Sequence, residues 1–177
     1  YPAVETVQVD GQCHEVFAPA TVTPALDRSA RQLAVRVAGA IDLHGLLAVE
    51  LFVVDGELVL NELAARPHNS GHLTIEACAT SQFENHLRAV AGLPLGATDL
   101  IVPAAAMANV LGAADGSDPL AAIAAGLAVP GVAIHRYGKT ARPHRKIGHL
   151  TATGADLDAA RATAARARHA LTAGRAA

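Results

Sequence analysis

Tryptophan is absent from the 177 residues, and aromatic residues make up only 3% of them. No core can be built on large rings here. Apolar residues still reach 51%, with Ala supplying much of the count. That excludes wholesale disorder and is enough for a core of small aliphatics. Cysteine is scarce as well. Cys13 and Cys78 are too few for a disulfide scaffold, and no Cys-x-x-Cys pair offers a zinc site. They read as two reduced, partly buried thiols. Charge of one sign is lacking: 14 Lys and Arg stand against 16 Asp and Glu, a net charge of -2. This argues against a general nucleic-acid or membrane-surface coat, while leaving room for a local basic patch. No apolar run approaches the ~20 residues of a membrane span, and no signal-peptide pattern opens the chain. The expected compartment is the cytoplasm.

The chain opens inside a hairpin. Tyr1 to Val9 alternates like a strand, Asp10-Gly11 is a turn signal, and Gln12 to Ala18 reads as the returning strand. With no Met and no polar lead-in, the segment reads as a piece of something longer. Thr23-Pro24 starts a helix, with Thr as N-cap and Pro in the first turn. The strongest hairpin follows: Leu47 to Val54, the turn Asp55-Gly56, then Glu57 to Leu63. Both strands are nearly continuous apolar runs, which predicts a sheet covered on both faces. Arg66 to His72 is a polar loop, and Ser81-Gln82-Phe83-Glu84 is a capping box opening a helix to Val90. A strand is expected within Ile101 to Leu111 and a short helix from Pro119 to about Leu127. Further strands are expected at 131–137 and 147–152, with an exposed Ala/Arg helix from Asp156 to about Ala173. The tally is α+β with mostly antiparallel strands.

Three groups could carry chemistry. Glu50 and Glu62 lie in the apolar strands of one hairpin, twelve residues apart. A strict two-residue turn would set Glu50 opposite Asn61, and a bulge would set it opposite Glu62. Two adjacent carboxylates repel unless a cation separates them, and hard oxygen ligands suit Mg²⁺. The competing reading is two strand-end carboxylates in solvent. The loop Arg66–His72 offers a guanidinium, an imidazole and an amide that could cradle an anion, or it is a structural turn. A zinc pair at His68 and His72 needs a helix, which Pro67, Ser70 and Gly71 oppose. Lys139, Arg142, Arg145 and Lys146 form a basic patch stiffened by Pro143. It suits a phosphate-bearing small ligand, or it is a solvated loop. Cys78, His86, His135 and His169 read as packing or surface residues.

Taken together, the segments 49–53, 61–72 (with His68-Asn69-Ser70-Gly71-His72) and 80–90 resemble the N5-carboxyaminoimidazole ribonucleotide synthetase family, the ATP-grasp carboxylases of purine biosynthesis. Tyr137-Gly138-Lys139 and Arg142-Pro143-His144-Arg145-Lys146-Ile147-Gly148-His149 resemble that family's C-terminal signature. The resemblance runs from Tyr1 to about Thr153. It implies the C-terminal part of an ATP-grasp lobe over 1–98, a small C-terminal α/β domain with a basic substrate loop over 99–153, and a helix or tail over 154–177. It implies ATP-dependent carboxylation of 5-aminoimidazole ribonucleotide with bicarbonate, through carboxyphosphate. Glu50 and Glu62 would hold Mg²⁺ against ATP. Arg66, His68 and Asn69 would hold bicarbonate and carboxyphosphate. Lys139, Arg142, Arg145 and Lys146 would take the ribonucleotide phosphate. A homodimer and a missing N-terminal portion of the same enzyme are the implied partners. Departures are Ala65 where the family has Pro, Thr140-Ala141 where an acidic residue is usual, and His144 where Gly is usual. The lysines and Gly-rich loop of the family's ATP lid have no counterpart in this chain. The rival reading is a non-catalytic fragment or oligomerisation piece.

Overall fold

The computed structural model describes residues 1–173; residues 174–177, the end of the expected tail, lie outside the described residues. The chain forms two compact units. One comprises residues 1–4 and 19–101, the other residues 5–18 and 102 onward. The opening hairpin thus belongs to the same unit as the C-terminal half of the chain, and no single cut divides the sequence.

That second unit is a five-stranded sheet. Its strands are β1 (Glu5–Val9), β2 (Gln12–Ala18), β5 (Ala104–Leu111), β6 (Val132–Arg136) and β7 (Lys146–Gly154), in the order β1-β2-β5-β7-β6. Every pair is antiparallel. The central strand β5 is Ala104-Ala105-Ala106-Met107-Ala108-Asn109-Val110-Leu111, buried from Ala104 to Val110. A strand of small residues lets a helix approach closely. Helix α5 (Leu157–Ala173) does so with Ala160, Ala164, Ala167 and Leu171, one face at helical spacing. These residues join Phe17, Leu120, Ile147 and Leu150 in one core. The sequence pattern predicted an exposed helix at this position. The reason for the difference is that alanine reads as neutral in a composition scan, yet packs fully once a smooth sheet lies beneath it. A short 3₁₀ turn (Pro119–Ala122) and α4 (Ile123–Leu127) complete the unit.

The first unit contains α1 (Pro24–Ala40), the hairpin β3 (Ala48–Val54) and β4 (Glu57–Ala64), a 3₁₀ turn (Asn69–Gly71), α2 (Thr74–Ala77) and α3 (Gln82–Val90). Thr23 caps α1 as expected, its Oγ1 accepting from Leu26 N at 3.2 Å. Ser81 caps α3 by accepting from Glu84 N. Asp55 and Gly56 take positive φ (51° and 81°), the two-residue turn that matches strand twist. The expectation of double cover for β3 and β4 is not met among the described residues. They form a two-stranded sheet, and Phe52, Val53, Val54, Val59, Leu60 and Leu63 are each 42–54% exposed. An unbroken apolar run states a need for cover and leaves open which part of a protein provides it. Buried side chains of this unit include Leu73, Thr74, Ala77, Cys78, Gln82 and Asn85. Burial pushes the Cys78 thiol up from its ordinary pKa, the inert state of a packing cysteine.

Candidate functional site

In the first unit the carboxylate pair is set by a bulge. The β3–β4 register runs Val54↔Glu57 to Leu51↔Leu60, shifts by one, and resumes at Glu50↔Glu62. Asn61 is the extra residue. The bulge therefore puts Glu50 and Glu62 on the same rung, where side chains stand ~5 Å apart at Cβ and like charges oppose one another. Asn61 Nδ2 donates to Glu50 Oε2 at 3.2 Å. His68 Nε2 lies 3.4 Å from Glu50 Oε1. Glu50 is thus held from two sides while Glu62 stays exposed. A pair of hard carboxylate oxygens on one rung, open to solvent, fits a magnesium ion.

The chain after β4 brings His68 to this rung. His68 N-caps the 3₁₀ turn: its Nδ1 accepts from Ser70 N and lies 2.8 Å from Ser70 Oγ. The ring proton then sits on Nε2, so His68 presents a donor toward Glu50. Arg66 is exposed, with Nη1 donating to Pro67 O at 3.3 Å. Asn69 is half-buried in the turn. The structure gathers Glu50, Glu62 and His68 closely, whereas the Arg66 guanidinium hydrogen-bonds back to the loop.

Sequence reasoning assigned Gln82 only to a capping box. In the structure it is 2% exposed and joins the loop to α3. Its Oε1 accepts from His68 N at 2.9 Å, and its Nε2 donates to His68 O at 2.7 Å and to His72 Nδ1 at 2.8 Å. Its backbone N donates to Thr74 Oγ1, which in turn donates to Gly71 O. His68 Nδ1 thus faces Ser70 and His72 Nδ1 faces Gln82, so neither Nδ1 is open to a zinc ion.

In the second unit the basic segment follows β6. Pro143-His144 forms the corner of a tight turn: Arg145 N donates to Arg142 O at 3.0 Å, and His144 has φ 60°. The turn is fastened to the end of β5, with Gly112 N donating to Arg145 O and His144 N to Gly112 O. A Cβ on Gly112 would lie 2.2 Å from Arg142 O, so only glycine permits this approach. Where Val110 pairs with Gly148 and Leu111 with Lys146, a second bulge re-aims the start of β7. Lys139, Arg142 and Arg145 are exposed and Lys146 is half-buried. Lys139 Nζ sits 5.3 Å from the centre of the Tyr137 ring, and Arg145 Nη1 donates to Thr140 O. Among the described residues none of the four cations is paired with a carboxylate. Tyr137 Oη lies 2.8 Å from Nδ1 of buried His149, which stacks on His135 at 4.6 Å.

Residues 1–83 match the ATP-grasp domain family, and residues 105–163 match the phosphoribosylaminoimidazole carboxylase C-terminal domain family. The chain is 47% identical over 182 aligned residues to the N5-carboxyaminoimidazole ribonucleotide synthase of Mycobacterium bovis, covering 99% of this chain and 42% of that protein. It superposes with a TM-score of 0.85 on the N5-carboxyaminoimidazole ribonucleotide synthetase of Thermus thermophilus, at 46% identity, covering 94% of this chain and 44% of that one. An Aspergillus clavatus N5-carboxyaminoimidazole synthase, solved with ADP and 5-aminoimidazole ribonucleotide, gives a TM-score of 0.87 at 38% identity, covering 97% and 47%. The chain therefore spans less than half the length of each of these three relatives. By sequence and by fold together, it belongs to the N5-carboxyaminoimidazole ribonucleotide synthetase family of ATP-grasp proteins.

Proposed function

We propose that this chain is the C-terminal portion of an ATP-dependent carbon–nitrogen ligase that carboxylates 5-aminoimidazole ribonucleotide with bicarbonate. The observation that carries the reading is the Glu50–Glu62 rung, produced by the bulge at Asn61 and flanked by His68. In the proposed reaction a bicarbonate oxygen attacks the γ-phosphorus of ATP and ADP leaves, giving carboxyphosphate. The amine of the ribonucleotide then attacks the carboxyl carbon, and phosphate leaves. Glu50 and Glu62 would hold Mg²⁺, which when bound neutralises charge on the β- and γ-phosphates. Arg66, His68 and Asn69 hold the bicarbonate and its phosphorylated form. His68 suits this because its Nδ1 accepts from Ser70 N, which leaves Nε2 as the donor; that donor faces Glu50 in this structure and would turn to an anion oxygen when the substrate is bound. Lys139, Arg142, Arg145 and Lys146 take the 5′-phosphate, with no carboxylate of the described chain competing for them. The remaining length of the family protein supplies the rest of the ATP site and cover for the exposed faces of β3 and β4.

Glu50→Gln and Glu62→Gln in the intact enzyme test the reading. Each removes one charge at nearly constant shape, so the fold survives. Turnover falls by roughly 100-fold, the scale of losing one preorganised electrostatic contact. Near-normal ATP consumption in both variants would remove the metal assignment and with it this account of the rung.

A further inference from the structure

We infer that Gln82 is a positioning residue for the carboxylation step: its buried amide locks the backbone of His68 and the ring of His72, and so fixes the loop that holds bicarbonate and carboxyphosphate. The inference rests on the function proposed above. Three observations carry it. First, Gln82 satisfies both main-chain groups of His68, accepting from its N at 2.9 Å and donating to its O at 2.7 Å. Meeting both the N–H and the C=O of one residue fixes which end of the amide is oxygen and which is nitrogen. Second, that assignment leaves Nε2 as the atom facing His72 Nδ1 at 2.8 Å. An amide nitrogen only donates, so His72 Nδ1 accepts and carries no proton, which puts the His72 ring proton on Nε2. Third, Gly71 is built around this amide. A Cβ there would lie 2.5 Å from Gln82 Oε1. Gly71 within the His-Asn-Ser-Gly-His segment and Gln82 of the following helix are thus one device.

The consequence for chemistry follows from the backbone. His68 reaches Glu50 across 3.4 Å only while its own main chain stays where Gln82 holds it. A positioning contact of this kind is worth about 10- to 100-fold in activity when it is removed. A loosened loop lets water reach carboxyphosphate, so ATP is cleaved without carboxyl transfer.

The test uses Gln82→Leu and Gln82→Glu in the intact enzyme, with thermal unfolding as the check on folding. Gln82→Glu keeps the shape and can still accept from His68 N, but cannot donate to His68 O or His72 Nδ1. Two readouts are followed: ADP formed per carboxylated ribonucleotide, and the ¹⁵N shifts of the histidine rings. We expect the ADP-to-product ratio to rise about tenfold in both variants with the KM for ATP unchanged, and the His72 nitrogens to move toward tautomer-averaged values. Loss of stability alone lowers the active fraction and leaves the ratio untouched. A wild-type ratio in folded Gln82→Glu overturns the inference, whether or not Gln82→Leu folds. If the wild-type protein carboxylates nothing, the proposed function has failed instead. The His68 and His72 ring shifts then decide alone, and unchanged shifts in the variants overturn the positioning role.

Discussion

Arg145 shows how a single exposed residue can be tied to a function without a buried contact. Its backbone is pinned at both ends, N to Arg142 O and O to Gly112 N, while its guanidinium touches only Thr140 O. A side chain held at its root, with guanidinium donors beyond the one that Thr140 O takes, is poised for a ligand. If it grips the 5′-phosphate, the bond contributes about 1.5–3 kcal/mol. Arg145→Ala then raises the KM for 5-aminoimidazole ribonucleotide roughly tenfold or more, at about 1.4 kcal/mol per decade. The KM for ATP, which Glu50 and Glu62 serve in this account, stays constant. Steady-state kinetics with each substrate varied in turn reads the difference. No change in either constant returns the segment to a solvated loop, and a rise for ATP alone reverses the assignment. At this scale the carboxylate pair was legible in the sequence, because parity along two strands left only two registers and one needed a bulge. Gln82 was not. Its partners lie 14 and 10 residues back, across a loop whose path no periodicity encodes.

Elements, in turn, owe their placement to residues that touch no ligand. The caps at Thr23 and Ser81 and the Asp55-Gly56 turn were readable because each is a local rule, satisfied within three or four residues. The packing of α5 was not, because the spacing of Ala160, Ala164 and Ala167 carries meaning only against the alanines of β5. Nor did spacing reveal that β2 pairs with β5, about ninety residues on. Gly112 is the case with functional weight. It ends β5, and its missing side chain admits the Arg142 carbonyl. Gly112→Ala must push the 142–145 turn away by about an ångström, since real Cβ contacts of 2.2 Å do not occur. We expect a rise of about tenfold in the KM for the ribonucleotide, comparable to Arg145→Ala, although residue 112 presents no side chain to it. Melting shifts downward as well, by a cost on the order of 1–3 kcal/mol for overpacking. An unchanged KM with a lowered melting temperature would show that the turn matters for stability alone.

On the scale of the whole molecule, the decisive facts are length and exposure. The chain spans 42% of its Mycobacterium bovis relative, and its β3–β4 sheet leaves six large apolar side chains 42–54% exposed. A two-stranded sheet with apolar residues on view is marginal by itself in water. Glu50 and Glu62, the carboxylates proposed to hold Mg²⁺, sit on that same hairpin, so whatever covers it also steadies the rung. Phosphoryl transfer further needs groups that cradle the phosphates, usually lysine with a glycine-rich loop. The lysines of this chain are Lys139 and Lys146, both in the segment assigned to the ribonucleotide. The 177-residue chain purified alone therefore shows no ATP hydrolysis stimulated by 5-aminoimidazole ribonucleotide and bicarbonate. ADP release, followed with both substrates saturating, checks this against the intact enzyme at equal molarity. The same preparation is expected to bind an apolar dye, and the intact enzyme to bind less of it per chain. Turnover by the isolated chain at the rate of the intact enzyme would mean that the phosphates are held by residues this account leaves out, and that the exposed hairpin needs no further cover to work.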